Sequence, residues 1–228
     1  MKKQICFPVT EKLVEGAGFV RWEILNRFGE EACYGEIYTA CLENKCDYVL
    51  KYMAYDNDNT AEGITNEVNI QKQCSKLNLC LPVIDAWLCD EGGAMVMNKL
   101  DYTMANLFMQ YKSEHIRNLI LSNIIMLLDK LHMNGFYHGD LHLNNMMVKS
   151  KNKNLSLVLE DELKFYGLED YSYYFIDFGK AGILTEETNK YIYKDYADIY
   201  DHLLELREED ETLEPITDVM KIHMQKFD

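Results

Sequence analysis

The sequence predicts an α+β fold in which a β-rich first part precedes an α-rich second part. Between Phe19 and Met97, short apolar runs separated by polar or glycine-containing turns indicate five strands. A helical stretch near residues 62–76 interrupts them, so the first part combines a sheet with one helix. The longest helical pattern covers Ser113 to Asn134, where seven apolar residues fall on one broad face.

Each predicted element has its own local signal. The five strands are two within Phe19–Cys41, then Tyr48–Tyr52, Leu81–Leu88 and Gly93–Met97. Ser113 is a suitable N-cap for the long helix, and Asn134-Gly135 is a suitable end for it. The elements predicted after it are a strand at Tyr173–Ile176, a helix opening at Asp195–Tyr200 and a last helix at Ile216–Lys226 after Pro215.

Composition limits the classes of partner. The chain has 228 residues, 48% of them hydrophobic, which is enough for a sizeable core. Its net charge of −15 would repel nucleic acid and anionic membranes, so neither is expected as a partner, and basic proteins are favoured. Acidity that only keeps the protein soluble is the alternative. Seven cysteines without a C-x-x-C pair predict reduced thiols and a cytoplasmic protein without a zinc site.

Two polar motifs lie in the second part. His138 to Asn145 reads His-Gly-Asp-Leu-His-Leu-Asn-Asn, which fits H-x-D-x-x-x-x-N, and Asp177-Phe178-Gly179 follows it. In this order the motifs resemble those of the protein-kinase-like superfamily, over roughly residues 20–205. Minimal or atypical serine/threonine protein kinases, including compact viral and bacterial effector kinases, look similar. The loop also resembles that of aminoglycoside phosphotransferase-type kinases.

This resemblance implies a bilobal kinase-like fold. Residues 1–97 would form the N-lobe, with a five-stranded antiparallel sheet and the αC helix near 62–76. Residues 98–228 would form a truncated helical C-lobe. It would contain the catalytic loop at 138–145, the metal-binding motif at 177–179 and an insertion at about 149–172.

The resemblance also implies roles in phosphoryl transfer from ATP with Mg²⁺. Asp140 would be the catalytic base that accepts the proton of the attacking hydroxyl. Asn145 and Asp177 would be the magnesium ligands, because side-chain oxygens suit a hard cation. Lys51 would contact the ATP phosphates and pair with Glu67, for which Glu62 is the competing candidate.

The remaining nucleotide contacts are implied by position. Residues 28–38 resemble a glycine-rich loop that lacks its middle glycine. Met97 would be the gatekeeper beside the adenine, and the next three residues would be the hinge. The full set of predicted nucleotide-binding residues is Phe28, Gly29, Gly35, Ile37, Val49, Lys51, Met97, Asn98, Lys99, Leu100 and Met147.

The second part departs from the protein-kinase pattern in several places. Gly139 replaces the arginine of H-R-D, which argues against switching by activation-loop phosphorylation. His142 stands where serine/threonine kinases carry a lysine that approaches the γ-phosphate. His138 is expected to be a buried packing residue. Asp195, in preference to Asp198, is expected to brace the catalytic loop by accepting its backbone N–H groups.

Three functions are weighed. The favoured one is a minimal serine/threonine protein kinase acting on a protein substrate, with an activating partner protein as an option. The second is a small-molecule kinase of the aminoglycoside or choline type, because the segment after Gly179 is too short for a full peptide-docking platform. The third is a non-catalytic binding module on a kinase scaffold. A viral kinase would act in the host cytoplasm or the virion.

Overall fold

The computed structural model describes residues 13–15, 21–27, 35–56, 59–150 and 171–225. The chain divides into two compact units, Met1–Lys99 and Leu100–Asp228. The division falls two residues after the predicted boundary between residues 97 and 98.

The first unit is built on an antiparallel sheet, which has six strands among the described residues. They are β1 (Leu13–Glu15), β2 (Arg21–Arg27), β3 (Glu36–Leu42), β4 (Lys45–Ala54), β5 (Asp85–Cys89) and β6 (Gly92–Asn98). Their order across the sheet is β1-β2-β3-β4-β6-β5. The five predicted strands are β2 to β6. The short β1 at the edge was not predicted, because three residues carry no readable alternation.

The alternation of β4 gives the sheet two buried faces. Leu50 and Tyr52 point into a cluster that contains Trp22 and Trp87. Met53, on the opposite face, packs with Ile64 and neighbouring residues of the helix α1 (Ala61–Lys76). α1 starts at Thr60, whose side chain accepts a hydrogen bond from the Gly63 N–H. Lys51 therefore lies on the strand face that α1 covers.

A disulfide closes the hairpin between β3 and β4. Cys41 and Cys46 are bonded across a turn in which Glu43 and Asn44 both have positive φ, 50° and 64°. Positive φ at both central residues is the geometry that two-residue hairpins favour. The prediction that the thiols are reduced is wrong for this pair, so the cysteines no longer support a cytoplasmic location.

The second unit is mainly helical. Its helices are α2 (Met104–Gln110), α3 (Glu114–Met133), α4 (Lys190–Glu209) and α5 (Glu214–Met224), with short 3₁₀ turns at Leu143–Asn145 and Glu211–Leu213. Its strands are β7 (Tyr102–Thr103), β8 (Phe136–Tyr137), β9 (Met146–Ser150), β10 (Tyr171–Phe175) and β11 (Gly182–Ile183). They form a β10-β9-β7 sheet and a β11-β8 pair.

The long helix α3 agrees with its predicted pattern. Ile120, Ile124 and Leu128 are completely or almost completely buried on its core face. Gly135, just beyond its end, has φ of +81°, as an αL cap requires. Ser113 is its N-cap residue, but the Ser113 side chain does not accept the expected capping hydrogen bond from a backbone N–H of the first turn.

Helix α4 begins at Lys190, five residues before the predicted opening at Asp195. Its far end is anchored to α3 by Arg117, which is completely buried. The Arg117 guanidinium donates to Asp210 Oδ2 at 2.5 Å and to Thr212 Oγ1 at 2.7 Å. Hydrogen bonds from Lys112, Thr212 and Arg117 hold the pKa of Asp210 well below its usual range. α4 is thereby fixed at one end, which matters because its middle carries part of the candidate site.

Within the described ranges, none of the helices combines the length and the apolar character that crossing a membrane requires.

Candidate functional site

The first unit contributes a buried ion pair. Lys51 Nζ lies 2.7 Å from Glu67 Oε1, and both residues are at most 4% exposed. In the sheet, Lys51 lies between Ile37 of β3 and Met95 of β6. Glu62, the competing candidate, is exposed in the first turn of α1. Glu67, which the sequence favoured over Glu62, is therefore the glutamate that pairs with Lys51.

A buried pair of this kind is costly to maintain. Desolvation of two charges offsets much of their attraction, and apolar residues of similar size are often as stabilising. The pair is therefore weak support for a purely structural role. It holds the Lys51 ammonium group at a fixed place on the sheet, where a polyanionic ligand could bind this group together with the Glu67 carboxylate.

The other predicted nucleotide residues of the first unit surround this pair in part. Ile37 and Val49 are half-buried, and Val49 is paired with Met97 across β4 and β6. Gly35 has φ of +138°, and a Cβ there would lie 2.5 Å from the Tyr52 carbonyl oxygen. A side chain at position 35 would therefore displace β4. Phe28 and Gly29 lie outside the described residues.

The predicted hinge lies where the chain divides into its two units. Asn98 ends β6 opposite Tyr48. The Lys99 N–H donates to the Asp47 carbonyl at 2.8 Å, so this N–H is not available to an adenine ring. Leu100 belongs to the second unit and is buried there, and Met147 is half-buried in β9.

In the second unit, hydrogen bonds connect the loop that carries Asp140 and Asn145 with the segment that carries Asp177. The Asn145 Nδ2 donates to the Asp140 carbonyl at 3.0 Å. The Asn145 carbonyl accepts the Ile176 N–H at 2.9 Å, directly before Asp177. Asp177 has φ of +62°, an uncommon conformation for a residue with a side chain. Such strain persists where the surrounding contacts enforce it, and it is common at functional sites.

This arrangement fits a magnesium ion chemically. The Asn145 amide nitrogen is committed to Asp140, which leaves Oδ1 as the side-chain atom that Asn145 can offer to a cation. Asp177 adds a carboxylate on a backbone segment that is fixed to Asn145. Amide and carboxylate oxygens are the ligands that Mg²⁺ prefers.

Asp195 of α4 braces the loop, as predicted. Its carboxylate is completely buried and accepts the Gly139 N–H at 2.7 Å on Oδ1. The other oxygen accepts the His138 N–H at 2.9 Å and lies 3.0 Å from His132 Nε2. A carboxylate oxygen only accepts, so Nε2 carries the proton in this contact. Asp198, the alternative brace, binds Lys194 instead.

His138 is a packing residue, also as predicted. It is completely buried beside the rings of Phe175 and Phe178. Its Nε2 donates to the Ile176 carbonyl at 2.9 Å, and burial lowers its pKa, so the ring is neutral. The contact gives the loop a second connection to the segment before Asp177.

Several residues that contact the loop were not found from the sequence. Lys194 Nζ donates to the Gly139 carbonyl at 3.0 Å. His202 Nδ1 accepts the Leu143 N–H at 2.9 Å, and burial lowers the pKa of His202. His202 lies two helical turns after Asp195 on the same face of α4, so helical spacing from Asp195 was the available signal for it. Lys194 directly precedes Asp195 in the chain. His132, at the end of α3, has no comparable signal.

Lys180 is the most consequential residue that the sequence did not reveal. Its Nζ lies 3.0 Å from Asp140 Oδ1. Its backbone also approaches the loop closely, because a Cβ on Gly139 would lie 2.5 Å from the Lys180 carbonyl oxygen. The adjacency of Lys180 to Asp177-Phe178-Gly179 was visible, but the contact depends on how the chain turns after it.

The predicted insertion starts and ends on paired strands. Ser150 at the end of β9 is opposite Tyr171 at the start of β10. Asp101 accepts the Ser150 N–H at 2.7 Å and lies 3.2 Å from Lys149 Nζ. The rest of the predicted insertion, residues 151–170, lies outside the described residues.

No protein-family model matches this chain, and a search of curated proteins finds no significant match.

Proposed function

We propose that this chain is an ATP-dependent phosphotransferase, and that its favoured acceptor is a serine or threonine hydroxyl of a protein. The observation that carries the proposal is the braced loop of the second unit. Asp140 and Asn145 lie in one loop and Asp177 is distant from them in sequence, yet backbone and amide hydrogen bonds link the two segments. The completely buried Asp195 carboxylate holds the start of that loop.

Each group has a defined task in the proposed reaction. The Asp140 carboxylate accepts a hydrogen bond from the acceptor hydroxyl, orients it towards the γ-phosphorus and receives its proton. Asn145 and Asp177 would hold Mg²⁺, which neutralises phosphate charge. Lys51 binds phosphate oxygens of ATP, and Glu67 keeps its amine in place.

The neutral His138 and the α4 contacts keep the base in position. Neither Asp195 nor His138 reaches the reacting atoms in this scheme, because the Asp195 carboxylate is engaged with the loop backbone and the completely buried His138 ring donates from Nε2 to the Ile176 carbonyl. They act by reducing the number of conformations open to Asp140. Such preorganisation is a main source of catalysis in phosphoryl transfer, where the protein performs little covalent chemistry.

A small-molecule acceptor is the second candidate. Only residues 180–189 separate Gly179 from the start of α4, and they include the short strand β11. This leaves little chain for a platform that would bind an extended peptide. The net charge of −15 would attract a cationic acceptor of either kind.

The test is transfer of radiolabelled phosphate from ATP with Mg²⁺. Basic proteins such as histone and myelin basic protein form one set of acceptors, and aminoglycosides, choline and sugars form the other. Asp140→Asn should lower transfer by at least about 1,000-fold, because the base and its charge are both lost. Asp218→Asn, on an exposed position of α5, is the matched control and should leave transfer unchanged.

Transfer that survives Asp140→Asn and Asp177→Asn would refute the proposal. Nucleotide binding without transfer to any acceptor, including water, would favour the non-catalytic binding module instead. Transfer to one acceptor set alone decides between the two candidate substrates.

A further inference from the structure

The cation beside Asp140 does not come from the position where the kinase resemblance places it. The catalytic loop has His142 at that position, and its ring packs edge-on against His202 of α4 with 5.7 Å between centroids. Lys194, another lysine at this loop, binds the Gly139 carbonyl and Asp198. Lys180 Nζ, by contrast, lies 3.0 Å from the Asp140 carboxylate.

The backbone around Lys180 is firmly placed. The Ala181 N–H donates to the Phe178 carbonyl at 3.1 Å, which closes a turn with Lys180 inside it. Phe178 on one side is completely buried, and Ala181 on the other is 5% exposed. Directly afterwards, β11 pairs with β8, the strand that leads into the catalytic loop. The turn, the two buried neighbours and the β8–β11 pairing thus hold the backbone of Lys180 beside the catalytic loop.

Gly139 makes this approach sterically feasible. It has φ of +79°, and a Cβ there would lie 2.5 Å from the Lys180 carbonyl oxygen and 3.3 Å from its carbon. Any side chain at position 139 would push the Lys180 backbone away. The lack of a side chain at position 139 is therefore what allows the Lys180 backbone to lie this close to the loop.

The ion pair contributes little to stability. The Lys180 side chain is 45% exposed and that of Asp140 is 27% exposed. Pairs with this much solvent contact add little net free energy to folding, because water screens the attraction and ordering the side chains costs entropy. A lysine in such a pair keeps its mobility, so it can share its ammonium group between the carboxylate and a phosphate that arrives beside it.

We propose that Lys180 is a catalytic residue that binds the transferred phosphoryl group and stands in for the lysine that His142 replaces. This inference rests on the proposed phosphotransferase function. During transfer, the acceptor oxygen bonds to the γ-phosphorus and the bond from that phosphorus to the β–γ bridging oxygen breaks. The electron pair leaves on ADP and the acceptor proton goes to Asp140. Lys180 keeps its own proton and neutralises charge on the equatorial oxygens.

The test compares Lys180→Met, which keeps length without charge, with Lys180→Arg and with Lys221→Met. Lys221 is exposed on α5 and is the control. We expect kcat to fall about 100-fold in Lys180→Met with KM for ATP nearly unchanged, because the contact is strongest in the transition state. Lys180→Arg should retain a substantial part of kcat, and Lys221→Met should retain all of it.

A second readout does not depend on turnover. ADP with Mg²⁺ and aluminium fluoride mimics the phosphoryl group in transfer. Lys180→Met should weaken binding of this mimic about 100-fold while ADP alone binds as before. Wild-type activity together with a Lys180→Met variant that matches Lys221→Met in kcat and in mimic binding would overturn the role of Lys180 and leave the proposed function standing. A wild-type protein that neither binds ATP nor transfers phosphate would overturn both.

Discussion

Removing the Asp195 carboxylate is the perturbation with the most definite structural consequence. Asp195→Ala leaves three donors without their acceptor: the N–H groups of His138 and Gly139, and Nε2–H of His132. An unsatisfied buried donor costs about 1–3 kcal/mol. Relaxation of the loop and entry of water recover part of this, so the expected loss in the free energy of unfolding is about 3–5 kcal/mol.

Two further variants sharpen this prediction. Asp195→Asn keeps the volume and one acceptor oxygen but directs an NH₂ group at one of the donors, so it should cost about 1–3 kcal/mol. Asp198→Ala removes a carboxylate from the same helix whose partner, Lys194, is 43% exposed. Its cost should be below about 1 kcal/mol.

The assay can assign the loss to the second unit. Trp22 and Trp87 are the two tryptophans of the chain, and both belong to the first unit, so tryptophan fluorescence during urea denaturation follows that unit. Far-UV circular dichroism mainly follows the helices α2 to α5 of the second. The Asp195→Ala transition should shift to lower urea in circular dichroism more than in fluorescence. Equal stability of Asp195→Ala and Asp198→Ala would refute the bracing role.

The other predictions concern the ion pair, the loop glycine and one histidine. Lys51→Met leaves the Glu67 carboxylate buried without this cation, so fluorescence-monitored unfolding should show that the free energy of unfolding falls by about 3–5 kcal/mol. Glu62→Gln, at an exposed position, should change it by less than about 0.5 kcal/mol. Similar losses in the two variants would contradict the burial argument. Gly139→Ala forces a Cβ against Lys180 at φ of +79°, so phosphate transfer should fall as it does in Lys180→Met; a fully active variant would show that the close approach is dispensable. His202 has a folded-state pKa below its ordinary value of 6.5, so below pH 6.5 the unfolded chain binds a proton that the folded chain does not. The free energy of unfolding should therefore decrease as the pH is lowered, and His202 should contribute up to about 1.4 kcal/mol per pH unit to this decrease. His202→Asn should reduce that slope in urea titrations at pH 5 to 7, and an unchanged slope would exclude His202 as its source.

The sheet and the main helices could be predicted because their signals are local. Alternation, helical periodicity and a glycine after α3 are visible within a short window, and they gave β2 to β6, α1 and α3 to within a few residues. The start of α4 was placed too late because residues 191–193 are two tyrosines and an isoleucine, whose helical preference is weak. Packing of the helix in the folded unit decides that boundary.

Of two side-chain pairings in the first unit, one was predicted from the sequence and the other was missed. Glu67 could be chosen over Glu62 because the periodicity of α1 places position 67 on the buried face. The Cys41–Cys46 bond was missed although its signal was present: if residues 43 and 44 form the turn, positions 41 and 46 face each other across the hairpin. The prediction of reduced thiols used the number and spacing of the cysteines and not the geometry of the hairpin that brings two of them together.

Lys180 was beyond the reach of sequence reasoning for a different reason. Its contact with Asp140 requires the turn at Phe178–Ala181, the β8–β11 pairing and the missing side chain at Gly139. Gly139 is visible in the His138–Asn145 motif, but the turn and the strand pairing are not encoded by a short motif. Each depends on backbone segments that meet only after the second unit has folded.

Three energetically unfavourable features of the described structure lie at the proposed catalytic positions or in the brace of the loop that carries Asp140. The buried Lys51–Glu67 pair, the positive φ of Asp177 and the buried Asp195 carboxylate each cost free energy that apolar residues or a relaxed backbone would avoid. The first feature fixes the Lys51 ammonium group, the second places the Asp177 carboxylate on a strained backbone, and the third fixes the loop that carries Asp140. This is the kind of preorganisation that the proposed phosphoryl transfer requires.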